Sequence, residues 1–474
     1  MDRRATQIRD GKVACFKAYD ARGRVPDELD EALAVRIGKA YAEVVRPNRV
    51  VVGHDIRLSS PSLSAALIEG LERAGVDVAF LGECGTEEIY FATAELGLDG
   101  GIMVTASHNP KDYNGMKFVK AGARPISADT GLEDIARLAA TAPLPDAPKR
   151  GTTTPLALRE DFVSHVLGFI DHQRQKPLKL VVNSGNGCAG PVFDALAERL
   201  PFEVVRLQHT PDGHFPNGVP NPLLTANRAV TAEAVVHAQA DLGIAWDGDF
   251  DRCFFFDETG RFIEGYYIVG LLAEQVLAKN PGGRVVHDPR LIWNTIEIVR
   301  QCGGEPVVCK SGHAFIKEKM RAVDAVYGGE MSAHHYFKDF AYADSGMIPW
   351  LLVAENIGQS GRPLSALVDE RIRRFPISGE LNREVEDPVA LLRTLRAHYA
   401  PQAEDIDGLD GLSITLDRWR FNMRASNTEP VVRLNVESRG DQALLEDKTA
   451  EVLEFMSPIR GAPYEVPPTP QELE

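Results

Sequence analysis

Positive charge is in short supply: Lys plus Arg number 52 against 68 Asp plus Glu, a formal net charge of −16. That balance argues against a nucleic-acid-binding or anionic-membrane surface. An anionic ligand must instead be held in a local cationic cleft. Cysteine is scarce too. Cys15, Cys84, Cys188, Cys253, Cys302 and Cys309 are scattered without a CxxC or CxxH spacing, so neither a disulfide framework nor a structural zinc site is indicated, and reduced, mostly buried thiols are expected. Long apolar runs are missing. YYIVGLLA (266–273) and the Pro-interrupted MIPWLLVA (347–354) fall short of the ~18–20 residues that span a bilayer, and MDRRATQIRDGK lacks the apolar stretch of a secretory signal. A cytoplasmic protein with no membrane or nucleic-acid partner is the expectation. Aromatics are only 7 %, but 44 % apolar and 25 % charged residues suffice for several globular cores. At about 150 residues per domain, 474 residues suggest roughly three domains, with two or four also open.

What is present is a rhythm of short Val/Ile-rich runs alternating with amphipathic stretches, the pattern of βα units. RVVVGHD (49–55) reads as a strand, SPSLSAALIEGLERAG (60–75) as a helix with Ser60 as cap candidate, and VDVAFLG (76–82) as the next strand. The pattern recurs at LKLVVNSGNG (178–187) with FEVVRL (202–207), and from GRVVHD (283–288) through IWNTIEIVRQCGG (292–304) to EPVVCKSG (305–312). Three similar α/β units in series follow. The Pro-, Gly- and Thr-rich stretch 141–155 reads as a linker, with further breaks near 258–265 and 375–388. LSITLD, WRFNMR and VVRLNVES with a terminal helix over 443–457 read as a separate α+β domain, followed by a Pro-rich tail from Gly461 that is expected to be disordered. The expected domains are 1–150, 151–260, 261–374 and 375–474.

Four segments carry chemistry. GGIMVTASHNPKDYNGMKF (100–118) places Ser107 and His108 at the carboxyl end of a strand, where open α/β sheets bind ligands, with Asn109 and Pro110 forcing a turn. In ADLGIAWDGDFDRCFFFDETG (240–260), Asp247, Asp249 and Asp251 repel one another unless a hard cation, Mg²⁺ by preference, neutralises them. A calcium loop is disfavoured because Arg252 stands where its sharp-turn Gly belongs. An aspartyl nucleophile is conceivable but leaves TASHNP unexplained. YGGEMSAHHYF (327–337) offers Glu330, Ser332 and His334, which share one face if the stretch is extended and would suit a polyol. RFNMRASNTEPVVRLNVESR (420–439) combines Arg424, Ser426, Asn427 and Thr428 with Arg433, a donor set suited to a phosphate dianion.

TASHNP, DGDFDR, GEMSAH and RASNTEP, in this order and at these spacings, resemble the signature of the α-D-phosphohexomutase superfamily. FKAYDARG (16–23) resembles that family's FRAYDIRG segment, and the likeness runs from Phe16 to Ser457. In detail, GTEEIYFAT, YNGMK and SNTEPVVRLNVESRG are similar to the bacterial phosphomannomutase type. The resemblance implies three related α/β domains with mixed sheets plus a smaller C-terminal α+β domain around a central cleft. It implies exchange of phosphate between O1 and O6 of a hexose, here mannose 6-phosphate and mannose 1-phosphate, through a hexose 1,6-bisphosphate. Ser107 would be phosphorylated, and Mg²⁺ would sit on Asp247, Asp249, Asp251 and a phosphoserine oxygen. Arg252 and Lys117 would stabilise the transferring group, and His108, Lys117 and His334 are the proton-transfer candidates. Tyr19 and Arg22 would complete the phosphoserine wall, Glu330, Ser332 and His334 would grip the sugar near O3 and O4, and Arg424, Ser426, Asn427 and Thr428 would hold the non-reacting phosphate. Arg290 and His313 would add substrate contacts, although relatives often carry Lys where Arg290 stands and Gly where Ala333 stands. Hexose phosphates are the expected partners of a monomer or weak dimer. A phosphoglucomutase or dual-specificity enzyme would use the same residues. A glucosamine-phosphate mutase is a weaker relative. A non-enzymatic sugar-phosphate binder needs neither a phosphorylatable serine nor a carboxylate metal loop.

Overall fold

The computed structural model describes residues 8, 9, 11–141, 144–425 and 431–456. Three of its sheets share one four-stranded topology, with a fifth strand beside the antiparallel one. In the first, parallel strands Asp77–Glu83, Arg49–His54 and Gly100–Val104 are followed by Tyr113–Lys120 running back antiparallel, with Ala21–Arg24 beyond it. The second has Glu203–Leu207, Lys179–Asn183 and Leu242–Trp246 parallel, then Cys253–Phe256 and Phe262–Ile263 antiparallel. The third has Glu305–Val308, Arg284–His287 and Tyr327–Gly329 parallel, then His335–Phe337 and Ala343–Asp344 antiparallel. In each repeat the third parallel strand ends in a turn back into an antiparallel neighbour. Those three turns are TASHNP, DGDFD and EMSAH, so one topological position supplies three of the four chemical loops.

The fourth sheet is wholly antiparallel, in the order Ile377–Glu384, Val431–Ser438, Trp419–Ala425, Leu412–Thr415 and Asp405–Asp407. Helices Pro388–Tyr399 and Gln442–Glu454 cover it. Three α/β units and a smaller α+β unit are the architecture anticipated. Several local expectations need correction. The stretch read as a linker ends in an edge strand, Thr153–Pro155, parallel to Asp77–Glu83, because Thr-rich residues beside an open sheet edge pair with it. The break near 375–388 is no such case: strand Ile377–Glu384 within it opens the fourth sheet. Ser60 opens its helix but does not cap it: its hydroxyl donates to Asp55 Oδ1 at 2.5 Å.

One apolar cluster runs through the first three units. Helix Met347–Ser360, from the third repeat, inserts Trp350 against Phe193 of the second at a ring separation of 5.0 Å, and Phe162 meets both Phe91 and Phe340. Interlocking of this kind fixes the three loops relative to one another. The fourth unit has a core of its own, built on Tyr399, Trp419 and Phe421. Five of the six cysteines are buried and all six are free thiols. Among the described residues, no helix is long and apolar enough to cross a membrane.

Candidate active site

Ser107 follows the fully buried strand Gly100–Val104 and adopts a left-handed backbone at φ 50°. Such a conformation is costly for a residue with a side chain and persists only where the surroundings impose it. The imposing group is Arg57, 1 % exposed. Its Nη1 donates to the carbonyls of Pro110 (2.7 Å) and Tyr113 (2.9 Å), and its Nη2 to those of Ser107 (2.8 Å) and Asn109 (2.6 Å). Asp55 lies 3.3 Å from Arg57 Nε and accepts from Thr105 Oγ1 at 2.7 Å, and Thr105 Oγ1 in turn accepts from Ser107 N at 2.9 Å. Arg22 joins from the neighbouring strand, bridging Asp20 (2.7 Å) and the Asn109 side chain (2.5 Å).

The metal-loop candidate meets this turn backbone to backbone. A Cβ on Gly248 would lie 2.6 Å from the Ser107 carbonyl oxygen, so only glycine permits the approach. Ser107 Oγ donates to Asp247 Oδ2 at 2.7 Å, and Arg252 reaches the same Oδ2 through Nε (2.9 Å) and Nη2 (2.7 Å) and Ser107 Oγ at 3.2 Å. His108 Nδ1 is 3.1 Å from Ser107 Oγ and accepts from Arg252 Nη2. Lys117 Nζ donates to Asp249 Oδ2 (2.7 Å) and Asp251 Oδ2 (2.5 Å), while Thr86 Oγ1, from the adjacent helix terminus, donates to Asp249 Oδ2 at 2.5 Å.

All three aspartates are buried, and each keeps one oxygen, Oδ1, with no hydrogen-bond partner among the described residues. One carboxylate oxygen from each lies within 4.8 Å of the other two. Lys117 and Arg252 offset two of the three charges and leave one in excess. Burial, then the Asp249 charge, pushes Asp251 up to about 6, whereas Lys117 outweighs burial and holds Asp249 well below the usual carboxylate range. Orphaned hard oxygens with excess negative charge fit a divalent cation, and the donor set suits magnesium. Burial and the Arg252 charge keep His108 neutral. Burial opposes charge on Lys117, but the two aspartates raise its pKa above the usual lysine value.

Glu330, Ser332 and His334 do not share a strand face as the extended reading expected. They occupy the turn of a hairpin in which Glu330 N donates to the His334 carbonyl (2.9 Å), Ala333 N donates to the Glu330 carbonyl (3.0 Å) and Ala333 takes φ 69°. Glu330 accepts from Tyr336 Oη (2.5 Å) and Gly312 N (2.9 Å). His334 Nδ1 lies 3.0 Å from Asp344, which is paired with the fully buried Lys317 at 2.6 Å. Burial opposes protonation of His334, but Asp251 and Asp344 raise its pKa. Arg290 grips Asp288 through two contacts of 3.0 Å and reaches Ser332 Oγ at 3.3 Å. His313 packs edge-on against Tyr19 at 4.9 Å, with both ring nitrogens buried and unpartnered among the described residues.

Arg424 and Arg433 are register partners on adjacent strands of the fourth unit, and both approach Glu380, at 3.7 and 3.8 Å. Arg424 also meets Asp410 at 3.4 Å. Ser426, Asn427 and Thr428 lie outside the described residues. The sequence reading missed Arg57, Asp55, Thr86, Lys317 and Asp344. Only GHDIR (53–57), a strand ending in an acid and a base, and the GTEE helix start carried any local signal for them.

Comparisons with known proteins agree with this assembly. Family models described as phosphoglucomutase/phosphomannomutase alpha/beta/alpha domains I, II and III match residues 14–143, 160–260 and 264–375, and the model for the C-terminal domain matches 380–455. The chain is 60 % identical over 444 residues to "Phosphohexose mutases" of Xanthomonas campestris pv. campestris, covering 93 % of this chain and 98 % of the relative. It is 57 % identical over 453 residues to a "Phosphomannomutase" of Escherichia coli K12, covering 94 % and 99 %. A crystal structure of a phosphoglucomutase/phosphomannomutase family protein from Burkholderia thailandensis superposes with a TM-score of 0.85 at 35 % identity, covering 95 % of this chain and 99 % of that one. Matched in all four of its units and along nearly its whole length, the chain belongs to the phosphoglucomutase/phosphomannomutase family.

Proposed function

We propose that the protein is a phosphomannomutase that interconverts mannose 6-phosphate and mannose 1-phosphate through a phosphorylated Ser107. One observation carries the reading: a buried serine hydroxyl from one domain lies 2.7 Å from an aspartate of another, beside three carboxylate oxygens that have no partner among the described residues. A sugar hydroxyl attacks the phosphorus of phospho-Ser107, the P–Oγ bond breaks, and Oγ keeps the electron pair. The sugar proton passes to Oγ, and His108, Lys117 and His334 are the candidates to relay it. The product is a hexose 1,6-bisphosphate, which turns over and gives its other phosphoryl group back to Ser107. Asp247, Asp249 and Asp251 would hold Mg²⁺, which when bound supplies charge neutralisation on the transferring group. Arg252 and Lys117 orient that group and oppose its charge, as phosphoryl transfer is mainly positioning and electrostatics. Glu330, Ser332 and His334 accept and donate at the sugar hydroxyls, with Arg290, His313, Tyr19 and Arg22 lining the same cleft. Arg424 and Arg433, with Ser426, Asn427 and Thr428, clamp the phosphate that does not react.

The sugar contacts do not report the configuration at C2, so a dual mannose/glucose activity uses the same residues. Coupled assays on mannose 1-phosphate and glucose 1-phosphate, with and without catalytic hexose bisphosphate, test the reading. Turnover of the mannose substrate with the higher kcat/KM supports it. Higher kcat/KM on glucose reassigns the substrate, and no turnover of either removes the mutase assignment.

A further inference from the structure

The fourth unit has its own apolar core and meets the shared one at its start, through Phe375 and Ile377. A buried polar joint lies where it meets the third unit. Glu437, on strand Val431–Ser438, is 0 % exposed and accepts from Tyr266 Oη at 2.5 Å, Ile292 N at 2.8 Å, Trp293 N at 3.3 Å and Arg420 Nη1 at 2.9 Å. Three of these four donors belong to the third unit. Arg420, 2 % exposed, spans the boundary in the opposite direction and donates to the carbonyls of Arg290 (2.9 Å) and Pro289 (3.0 Å). Those carbonyls belong to the segment whose Arg290 side chain holds Asp288 and Ser332 behind the sugar turn.

The register carries this joint toward the cleft. Arg420 pairs with Glu437, Asn422 with Asn435 and Arg424 with Arg433 along two adjacent strands, so alternate positions place all six on one face. The joint and the arginine pair are thus two ends of one polar ladder, rigidly linked by strand hydrogen bonds. Apolar contacts would hold two units together without fixing an angle. A carboxylate receiving four directional donors fixes it, and removing its charge strands a buried guanidinium.

We propose that Glu437, with Arg420 and Tyr266, is a positioning group for the transfer reaction: a buried pin that sets the angle between the phosphate clamp and the sugar loop. This rests on reading Arg424 and Arg433 as that clamp. Burial and the neighbouring Glu437 charge keep the Tyr266 phenol protonated, so it stays a donor throughout the working range. The pin touches no reacting atom. Its loss should weaken simultaneous grip on sugar and phosphate while sparing the metal loop, which hangs on the first three units.

Full-length Tyr266→Phe, Glu437→Gln and Arg424→Ala enzymes, each checked for a cooperative melt, are compared in steady-state kinetics. Tyr266→Phe removes a single hydroxyl and serves if Glu437→Gln does not fold. The pin predicts KM for the hexose phosphate raised about fivefold or more in Tyr266→Phe and Glu437→Gln, with the Mg²⁺ concentration for half-activation within about twofold of the parent. Raised KM in Arg424→Ala with parental KM in the other two overturns the pin alone. Unaltered KM in Arg424→Ala overturns the clamp reading, and the pin with it. A matching shift in Mg²⁺ activation would mark a general structural defect and also overturns the pin.

Discussion

Arg57 lies outside the four motifs, yet the serine turn depends on it. Arg57→Ala deletes four hydrogen bonds to the carbonyls of Ser107, Asn109, Pro110 and Tyr113 and leaves Asp55 as a buried carboxylate without its cation. A buried acceptor that loses its donor costs about 1–3 kcal/mol, and breaking a buried ion pair about 3–5 kcal/mol. These terms overlap, and water entering the vacated space recovers part of them, so the expected loss is about 4–6 kcal/mol. That is a large share of the ~5–15 kcal/mol available to a domain. Arg57→Lys keeps the charge, but three donors on one nitrogen cannot reproduce a planar fork serving four carbonyls. The turn should then relax from its left-handed geometry and displace Ser107 Oγ. A displacement of about 1 Å costs on the order of 10²-fold in rate. Urea unfolding followed by circular dichroism reads the first effect, and turnover of the folded Lys variant reads the second. Arg57→Ala within about 1 kcal/mol of the parent, or Arg57→Lys at parental turnover, would show that Arg57 does not hold the serine turn.

Asp249→Asn keeps the hydrogen bond from Thr86 but removes one charge from the candidate cation site, so half-activation should need at least about tenfold more Mg²⁺. A Mg²⁺ titration of activity checks this, and an unchanged curve removes Asp249 from the ligand set. His335 is buried beside Tyr327 Oη, 2.7 Å away, and burial pushes its pKa down to about 3. The unfolded chain binds the proton below about pH 6.5 and the folded chain does not, so stability falls as pH drops from 6.5 toward 3. Between pH 7 and 5 this site should account for about 2 kcal/mol of destabilisation. Urea midpoints at the two pH values should therefore differ less in His335→Asn than in the parent, and equal differences would contradict the assignment.

The legible parts of the molecule were those whose physics is local. Three aspartates within five residues repel wherever the chain folds, and a strand ending in Ser-His is visible as an apolar run meeting a polar turn. The three-fold repeat was legible from Val-rich runs alone, because buried parallel strands need them. The hairpin at 330–334 was not, since Met331, Ser332 and Ala333 lack the Gly or Asn-Gly expected at a tight turn, and Ala333 takes the positive φ instead. Arg57 was hidden for another reason. Fifty residues separate it from the turn it holds, and only the pairing of strands Arg49–His54 and Gly100–Val104 brings them together. Lys317 and Asp344 were hidden likewise, each unremarkable in sequence and significant only as a buried pair beside His334.

The proposed reaction turns on a phosphoryl group carried by Ser107 and exchanged with sugar. Intact-mass spectrometry of the purified enzyme, before and after a chase with excess mannose 6-phosphate, tests it most directly. A phosphate-sized increment localised to Ser107 is expected, discharged into sugar bisphosphate by the chase and absent from Ser107→Ala. Turnover by an enzyme that never carries phosphate on Ser107 would contradict it.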